Sequence, residues 1–194
     1  MVGRSGRRPG NQDTREAILA AARSAFAERG MDGATIRVIA AGAGVDPALV
    51  HHYFGTKDQL FLAAMRAPID PLTIIPLVLA GGLDGIGERL VRMLLSVWDS
   101  PAGEAAVAVL RSAFSNDDIA AMMREFIVNR ILKQVVKGLG LDPVEGLLRA
   151  SLVGSQIAGV ITFRYIIKVE PMASAPVETL VARIGPTIET YLKG

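Results

Sequence analysis

With 194 residues, 51% of them apolar, and a mean hydropathy of +0.37, the chain can bury a substantial core and is too apolar to be disordered except near its ends. It has no cysteine, which excludes a disulfide framework, a thiolate metal site and a cysteine nucleophile, and suits a reducing cytoplasm. Its net charge of +2 is uneven: residues 1–66 hold nine Lys/Arg against six Asp/Glu and residues 67–194 hold twelve against thirteen, with Arg4, Arg7 and Arg8 unopposed at the start.

In chain order, MVGRSGRRPGNQD has arginines but no apolar stretch behind them, which is unlike a secretory signal. Residues 1–12 are expected to be a flexible basic arm, suited to reaching nucleic acid or serving as a solvated tail. Asp13 with Glu16 reads as a capping box. Ile18, Ala22, Ala25, Phe26 and Arg29 then follow a three-and-four rhythm up to Gly30, predicting a first helix over about 14–29. Thr35 can cap a short second helix to about Ala41, and GAGV turns the chain. Asp46 caps a third helix with Pro47 at its first position, and Gly55 stops it. TKDQ opens a fourth helix from Lys57 to about Ala67.

Pro68 and Pro71 break the pattern, so the boundary between residues 13–67 and 68–194 is placed there. The following PLTIIPLVLAGGLDG is apolar and irregular. Helices are expected over about 85–98, 101–114, 116–138, 143–168 and 176–192, three of them with start signals at Ser100-Pro101, Ser115 with Asp118, and Asp142-Pro143 with Glu145. The chain therefore reads as all-α with about nine helices. The most membrane-like stretch, residues 147–167, is interrupted by Arg149, Gln156 and Arg164 and reads as a buried helix rather than a span.

Residues 36–54 have the composition of a helix–turn–helix. Ala40 lets two helices approach, Gly44 permits the turn and Val50 anchors the second helix, with Ile39 and Val45 filling the positions beside them. If Val50 faces inward, the 100° step per residue turns Ala48 and His52 outward, with Leu49 and His51 on the flanks. Both of the chain's histidines then lie on the surface that would enter a major groove. Adjacent positions diverge too far to chelate one ion, and no acid on this helix has a spacing that would orient either imidazole, so neither a metal site nor catalysis is expected. Contact with DNA phosphates and base edges is the remaining chemistry, beside ordinary surface histidines.

The segments REAILAAARSAFAERG, ATIRVIAAGAGV and LVHHYFGTKDQLF make residues 14–66 resemble the DNA-binding domain of the tetracycline-repressor (TetR) family of bacterial regulators. The resemblance implies an N-terminal helix–turn–helix domain followed by a helical effector-binding and dimerisation domain. It also implies a ligand-released homodimeric repressor on a palindromic operator. Arg37 and Thr35 would sit near the DNA backbone, while Pro47, Ala48 and Leu49 would start the recognition helix. His51 stands where the family commonly has a phosphate-contacting tyrosine. His52 and Tyr53 match the family's polar and aromatic pair, and Phe54 should be core. Lys57 would pair with phosphate at the positive end of the fourth helix. Arg7 and Arg8 of the arm would add contacts.

The first turn of the recognition helix offers no hydrogen-bonding side chain. Phosphate contacts and the arm should therefore supply much of the affinity, which should fall steeply with salt. The last two helices would form the dimer interface, where Ala150, Gly154 and Ala158, and Ser151, Ser155 and Gly159, are small residues at intervals of four; intramolecular packing would explain the same spacing. In the middle region Met93, Trp98, Phe114, Met122, Met123 and Phe126 are the bulky residues available to an apolar or weakly polar effector, with Arg111 nearest for an anionic group. No cofactor and no enzymatic activity are expected. The alternatives are an activator of the same fold, or a helical small-molecule-binding or membrane-associated protein without DNA binding.

Overall fold

Apolar residues at helical spacing over residues 14–33 give α1 (Asn11–Gly33) one inward face, on which Ile18, Leu19, Ala22, Ala25 and Phe26 are buried. The computed structural model describes residues 11–67, 70–114 and 117–194, without the side chains of residues 11, 108, 109 and 112–114. The helix begins ahead of Asp13, which lies in its first turn rather than capping it. The expected stop at Gly30 is a kink: Gly30 has φ 67° and ψ 177°, and one more turn follows to Gly33.

The chain divides into two units, Met1–Ala67 and Pro68–Gly194. In the first, α1 packs against α2 (Ile36–Ala43) and α4 (Lys57–Ala64), and α3 (Pro47–Phe54) packs between α2 and α4 in sequence. The rings of Phe26 and Phe61 meet edge to face at 5.2 Å. Arg23 on α1 donates from Nε to the Ala64 carbonyl at 3.0 Å, satisfying one of the carbonyls left open at the end of α4.

The second unit starts with a helix where the sequence suggested an irregular stretch. α5 spans Pro71–Leu79. Asp70 caps it by accepting from the Leu72 amide at 2.9 Å, and Pro71 occupies the first position, where no amide is needed. Pro76 inside it removes one internal bond, and packing of Val78, Ile74 and Leu79 into the core offsets that loss. Arg89 holds the end of α5 by donating from Nε to the Val78 carbonyl (3.2 Å), from Nη1 to Asp84 (2.5 Å) and from Nη2 to Gly82 (2.5 Å).

α6 (Ile86–Trp98) and α7 (Pro101–Phe114) precede a long rod. In it α8 (Asp117–Phe126) passes through a π-helical segment (Ile127–Leu132) into α9 (Lys133–Leu139). A second rod joins α10 (Glu145–Ile161) to a π-helical turn (Thr162–Ile166), and α11 (Val177–Lys193) completes the unit. With each rod counted once, the described residues form one helix more than the expected nine, the addition being α5. At the start of α10, Asp142 accepts from the amides of Val144 and Glu145, both at 2.9 Å, which lowers the pKa of its carboxyl.

The main core joins Ile86, Val91 and Leu95 of α6 to Val153 and Val160 of α10 and to Leu180, Val181, Ile188 and Leu192 of α11. α6 and α11 cross at two glycines. A methyl built on Gly87 would overlap the Gly185 carbonyl, and one built on Gly185 would lie 2.9 Å from the Glu88 amide nitrogen. Only hydrogen side chains allow this approach.

Arg164, 11% exposed at its side chain, donates from Nη1 to the carbonyls of Met172 (3.1 Å) and Ala175 (2.9 Å), closing the α10–α11 connection. Its neighbour Tyr165 donates to Asp99 at 2.8 Å. Burial, with that bond, pushes the Tyr165 phenol up to about 12, which keeps it a donor at any working pH.

The stretch expected to be a buried helix is helical but only partly covered. The Glu145–Ile166 rod is long and apolar enough to cross a membrane by length and composition, and 28% of its most apolar window is buried. Leu148 (57% exposed), Leu152 (39%) and Phe163 (47%) project outward.

Candidate nucleic-acid interface

Three local caps set the geometry of the first unit. Thr35 Oγ1 accepts from the Val38 amide at 3.3 Å and starts α2. Gly44, at φ 67° and ψ 32°, takes the left-handed conformation that ends α2; its amide bonds to the Ala40 and Ala41 carbonyls, and the Val45 amide follows to Ala40 at 3.0 Å. Asp46 then accepts from the Ala48 amide at 2.8 Å, and Pro47 opens α3. Ile39 and Ala40 are fully buried, Val50 is 1% exposed and Phe54 is 8% exposed. The chain therefore turns on Gly44 while Val50 fastens α3 to α2.

With Val50 inward, Ala48, His51 and His52 are exposed, and Pro47, Leu49 and Tyr53 are half-buried. The Tyr53 ring meets the edge of His52 at 5.7 Å. Thr35 and Arg37 are exposed on the neighbouring elements, and the Thr35 hydroxyl can still donate while accepting from Val38. Thr56 and Gln59 complete a capping box at the start of α4, with Thr56 accepting from the Gln59 amide at 3.1 Å and Gln59 Oε1 accepting from the Thr56 amide at 2.9 Å. Lys57 is the first residue of that helix and is half-buried. Arg7 and Arg8 lie outside the described residues.

One feature escaped the sequence reading. His51 Nδ1 lies 2.9 Å from the Gly55 carbonyl, four residues on, so this imidazole closes the end of its own helix. A histidine four positions ahead of a helix-terminating glycine was the available signal.

Outside this surface lie the seven residues expected at an effector pocket. A groove of about 270 Å³ between α5 and α6 is lined by Leu77, Val78, Arg89, Arg92, Met93 and Ser96, which includes Met93 alone of the seven. Met122 and Phe126 are buried, while Met123 is half-buried. Trp98 stacks at a tilt on Tyr165, with centroids 5.7 Å apart. Exposed Arg111 donates to the Ile166 carbonyl at 3.4 Å. The Phe114 side chain lies outside the described residues.

Among the small residues expected at a dimer seam, Ala150 stands apart. It is 3% exposed and packs inward against Leu132 and Val136, because it shares the inward stripe of α10 with Gly146 and Val153. Ser151, Ser155, Ala158 and Gly159 are exposed, and Gly154 has open space where a side chain would stand. Among the described residues no group of three or more His, Asp or Glu side chains could hold a metal ion.

A glycine-turned helix pair with a buried aliphatic anchor, an exposed outer face and a lysine at the next helix start defines a helix–turn–helix DNA-binding protein. Residues 18–64 match the bacterial regulatory proteins of the tetR family, and residues 84–192 match the tetracyclin repressor-like C-terminal domain. The chain is 31% identical over 166 residues to the HTH-type transcriptional regulator BetI of Stenotrophomonas maltophilia, covering 73% of this chain and 83% of that one. It is 56% identical over 52 residues to BetI of Brucella anthropi, covering 27% and 26% of the two chains. Among solved structures, a TetR-family regulator from Streptomyces coelicolor A3 is 40% identical, covering 98% of this chain and 100% of its own with a TM-score of 0.49. This chain belongs to the TetR family of transcriptional regulators, whose members are DNA-binding proteins and not enzymes.

Proposed function

We propose that the protein is a cytoplasmic homodimeric repressor that binds a palindromic operator and is released from it by a small apolar or weakly polar effector. The observation that carries this reading is the division of α3 into a buried Val50 and exposed Ala48, His51 and His52. Pro47, Ala48 and Leu49 would meet base edges by van der Waals contact, with His52 and Tyr53 beside them. Thr35, Arg37, His51, Lys57 and the arm residues Arg7 and Arg8 would meet phosphate. One such helix reads few bases; two on a two-fold axis, about 34–36 Å apart, read successive major grooves.

Selection of duplexes from a random pool by the purified full chain tests this directly. A palindromic consensus is expected, and recovery of no consensus would overturn it. Affinity for that duplex should fall by about 10³-fold or more between about 50 and 200 mM salt if phosphate contacts dominate. K57A should weaken binding about tenfold and reduce the salt slope by about one per half-site, whereas H52A should relax the consensus. An unchanged slope in K57A would remove Lys57 from the phosphate set.

The outward stripe of Leu148, Ser151, Leu152, Ser155, Gly159 and Phe163 on the α10 rod supports the dimer, since exposed leucines among small residues suit a closely approaching partner helix. L148E with L152E should raise the dimer dissociation constant at least about 100-fold, seen by sedimentation. A variant that stays dimeric would exclude this stripe as the seam. For the effector, the α5–α6 groove presents apolar Leu77, Val78 and Met93, and its two arginines are already engaged: Arg89 by carbonyls, Arg92 by Glu178 through Nε (3.0 Å) and Nη2 (2.9 Å). That commitment favours an uncharged ligand.

A further inference from the structure

The geometry points to His51 as a protonation-gated phosphate contact, so that operator affinity is linked to proton uptake. This inference rests on the proposed DNA-binding face. It starts from the partner of the ring. The Gly55 carbonyl can only accept, so the Nδ1 atom 2.9 Å from it must carry the hydrogen. A neutral ring held in this way has its remaining nitrogen, Nε2, as a bare lone pair. Facing a phosphate oxygen, that lone pair repels. Protonation converts Nε2 into a charged donor while Nδ1 keeps its bond to Gly55. The same ring therefore opposes phosphate in one state and binds it in the other, without moving. The position adds to this: His51 is in the last turn of α3, where the helix dipole favours positive charge.

The surroundings leave few other groups to titrate. The ionisable residues on the elements packed against α3 are Arg37 on α2 and Lys57 and Asp58 on α4, with Asp46 at its N-cap and the Arg15 guanidinium of α1 5.1 Å from the Phe54 ring centroid. On α3 itself His52 and Tyr53 flank the ring. Arginine, lysine, aspartate and tyrosine side chains ordinarily keep one charge state between about pH 6 and pH 8, whereas an imidazole titrates near pH 6.5. The chain has two histidines, no cysteine, and both imidazoles on this face.

The sign follows. A phosphate beside the ring favours its charged form, so binding is coupled to proton uptake. Affinity is therefore greatest at low pH and falls as pH rises. The test is fluorescence anisotropy of a labelled duplex carrying the selected palindrome, from about pH 6 to about pH 8 at fixed salt. The dissociation constant should rise at least about tenfold across that range. Calorimetry in buffers of different ionisation enthalpy should show net proton uptake. In H51Q, whose amide donates at any pH, the dependence should shrink to that of His52 alone; H52Q should keep most of it. A pH-independent constant with intact palindrome binding would overturn the linkage and leave the DNA-binding role standing. A dependence lost in H52Q and kept in H51Q would overturn the assignment to His51. Failure to bind the palindrome at every pH would overturn both.

Discussion

Gly87→Val is expected to destabilise the second unit by about 3 kcal/mol or more, measured as a shift of the urea midpoint of the purified chain. The reason is the α6–α11 crossing, where the position of a Gly87 methyl is already taken by the Gly185 carbonyl. No side-chain rotation can relieve a clash with main chain, so the helices must separate. Separation would open the contacts of Ile86, Val91 and Leu95 with Val181, Ile188 and Leu192, which are the most buried side chains of that core. Leu90→Ala on the same helix is the useful contrast: that side chain is half-buried, and truncating it leaves the backbones in place. Equal stability of Gly87→Val and the native chain would mean that the two helices do not meet at these glycines.

Val50→Asp is expected to abolish operator binding, by more than about 100-fold, although Val50 lies on the face of α3 away from the proposed DNA surface. A carboxylate at this 1% exposed position would be buried against α2 with nothing to balance its charge. That penalty, about 3 kcal/mol or more, falls on a unit of only four short-to-medium helices with little stability to spare. Circular dichroism should show partial loss of helix, since the second unit has its own core. Retained operator binding would show that α3 is not held by Val50.

These two positions differ in how visible they are in the sequence. The packing role of Val50 is local: Ala40, Gly44 and Val50 lie within one short segment, and caps at Thr35, Asp46 and Thr56 mark the helix boundaries around them. Side-chain caps and turn glycines act over three or four residues, so a reader of the sequence meets cause and effect together. Gly87 and Gly185 are far apart along the chain, and each alone looks like a weak helix position. Their meaning exists only in the tertiary crossing.

The same contrast explains α5 and the π segments. α5 has both start signals, Asp70 and Pro71, but Pro76 and the near absence of polar residues erase the periodicity that would announce a helix. Its stability comes from burial of Val78 and from Arg89, neither of which is a local cue. The π-helical Ile127–Leu132 and Thr162–Ile166 segments carry no sequence signal that distinguishes them from ordinary helix. The effector residues were the least legible part. Bulky apolar side chains serve a core and a pocket equally well, and Met122 and Phe126 are buried in the protein itself.

Arg89 has a consequence for how ligand specificity could drift if the α5–α6 groove is the proposed effector site. It fixes one wall of the α5–α6 groove through the carbonyls of Val78, Gly82 and Asp84, and a carbonyl is supplied by every amino acid. Leu77, Met93 and Ser96 can therefore be exchanged to suit a different small molecule while the wall keeps its position. Gly81 is the exception, because any larger residue there would meet the guanidinium within 3 Å. Lysine cannot stand in for the arginine either, since a single ammonium has no fork that reaches three acceptors at once. The groove thus separates a few geometrically fixed framework positions from an interchangeable lining, a division under which one could be retuned without dismantling the other.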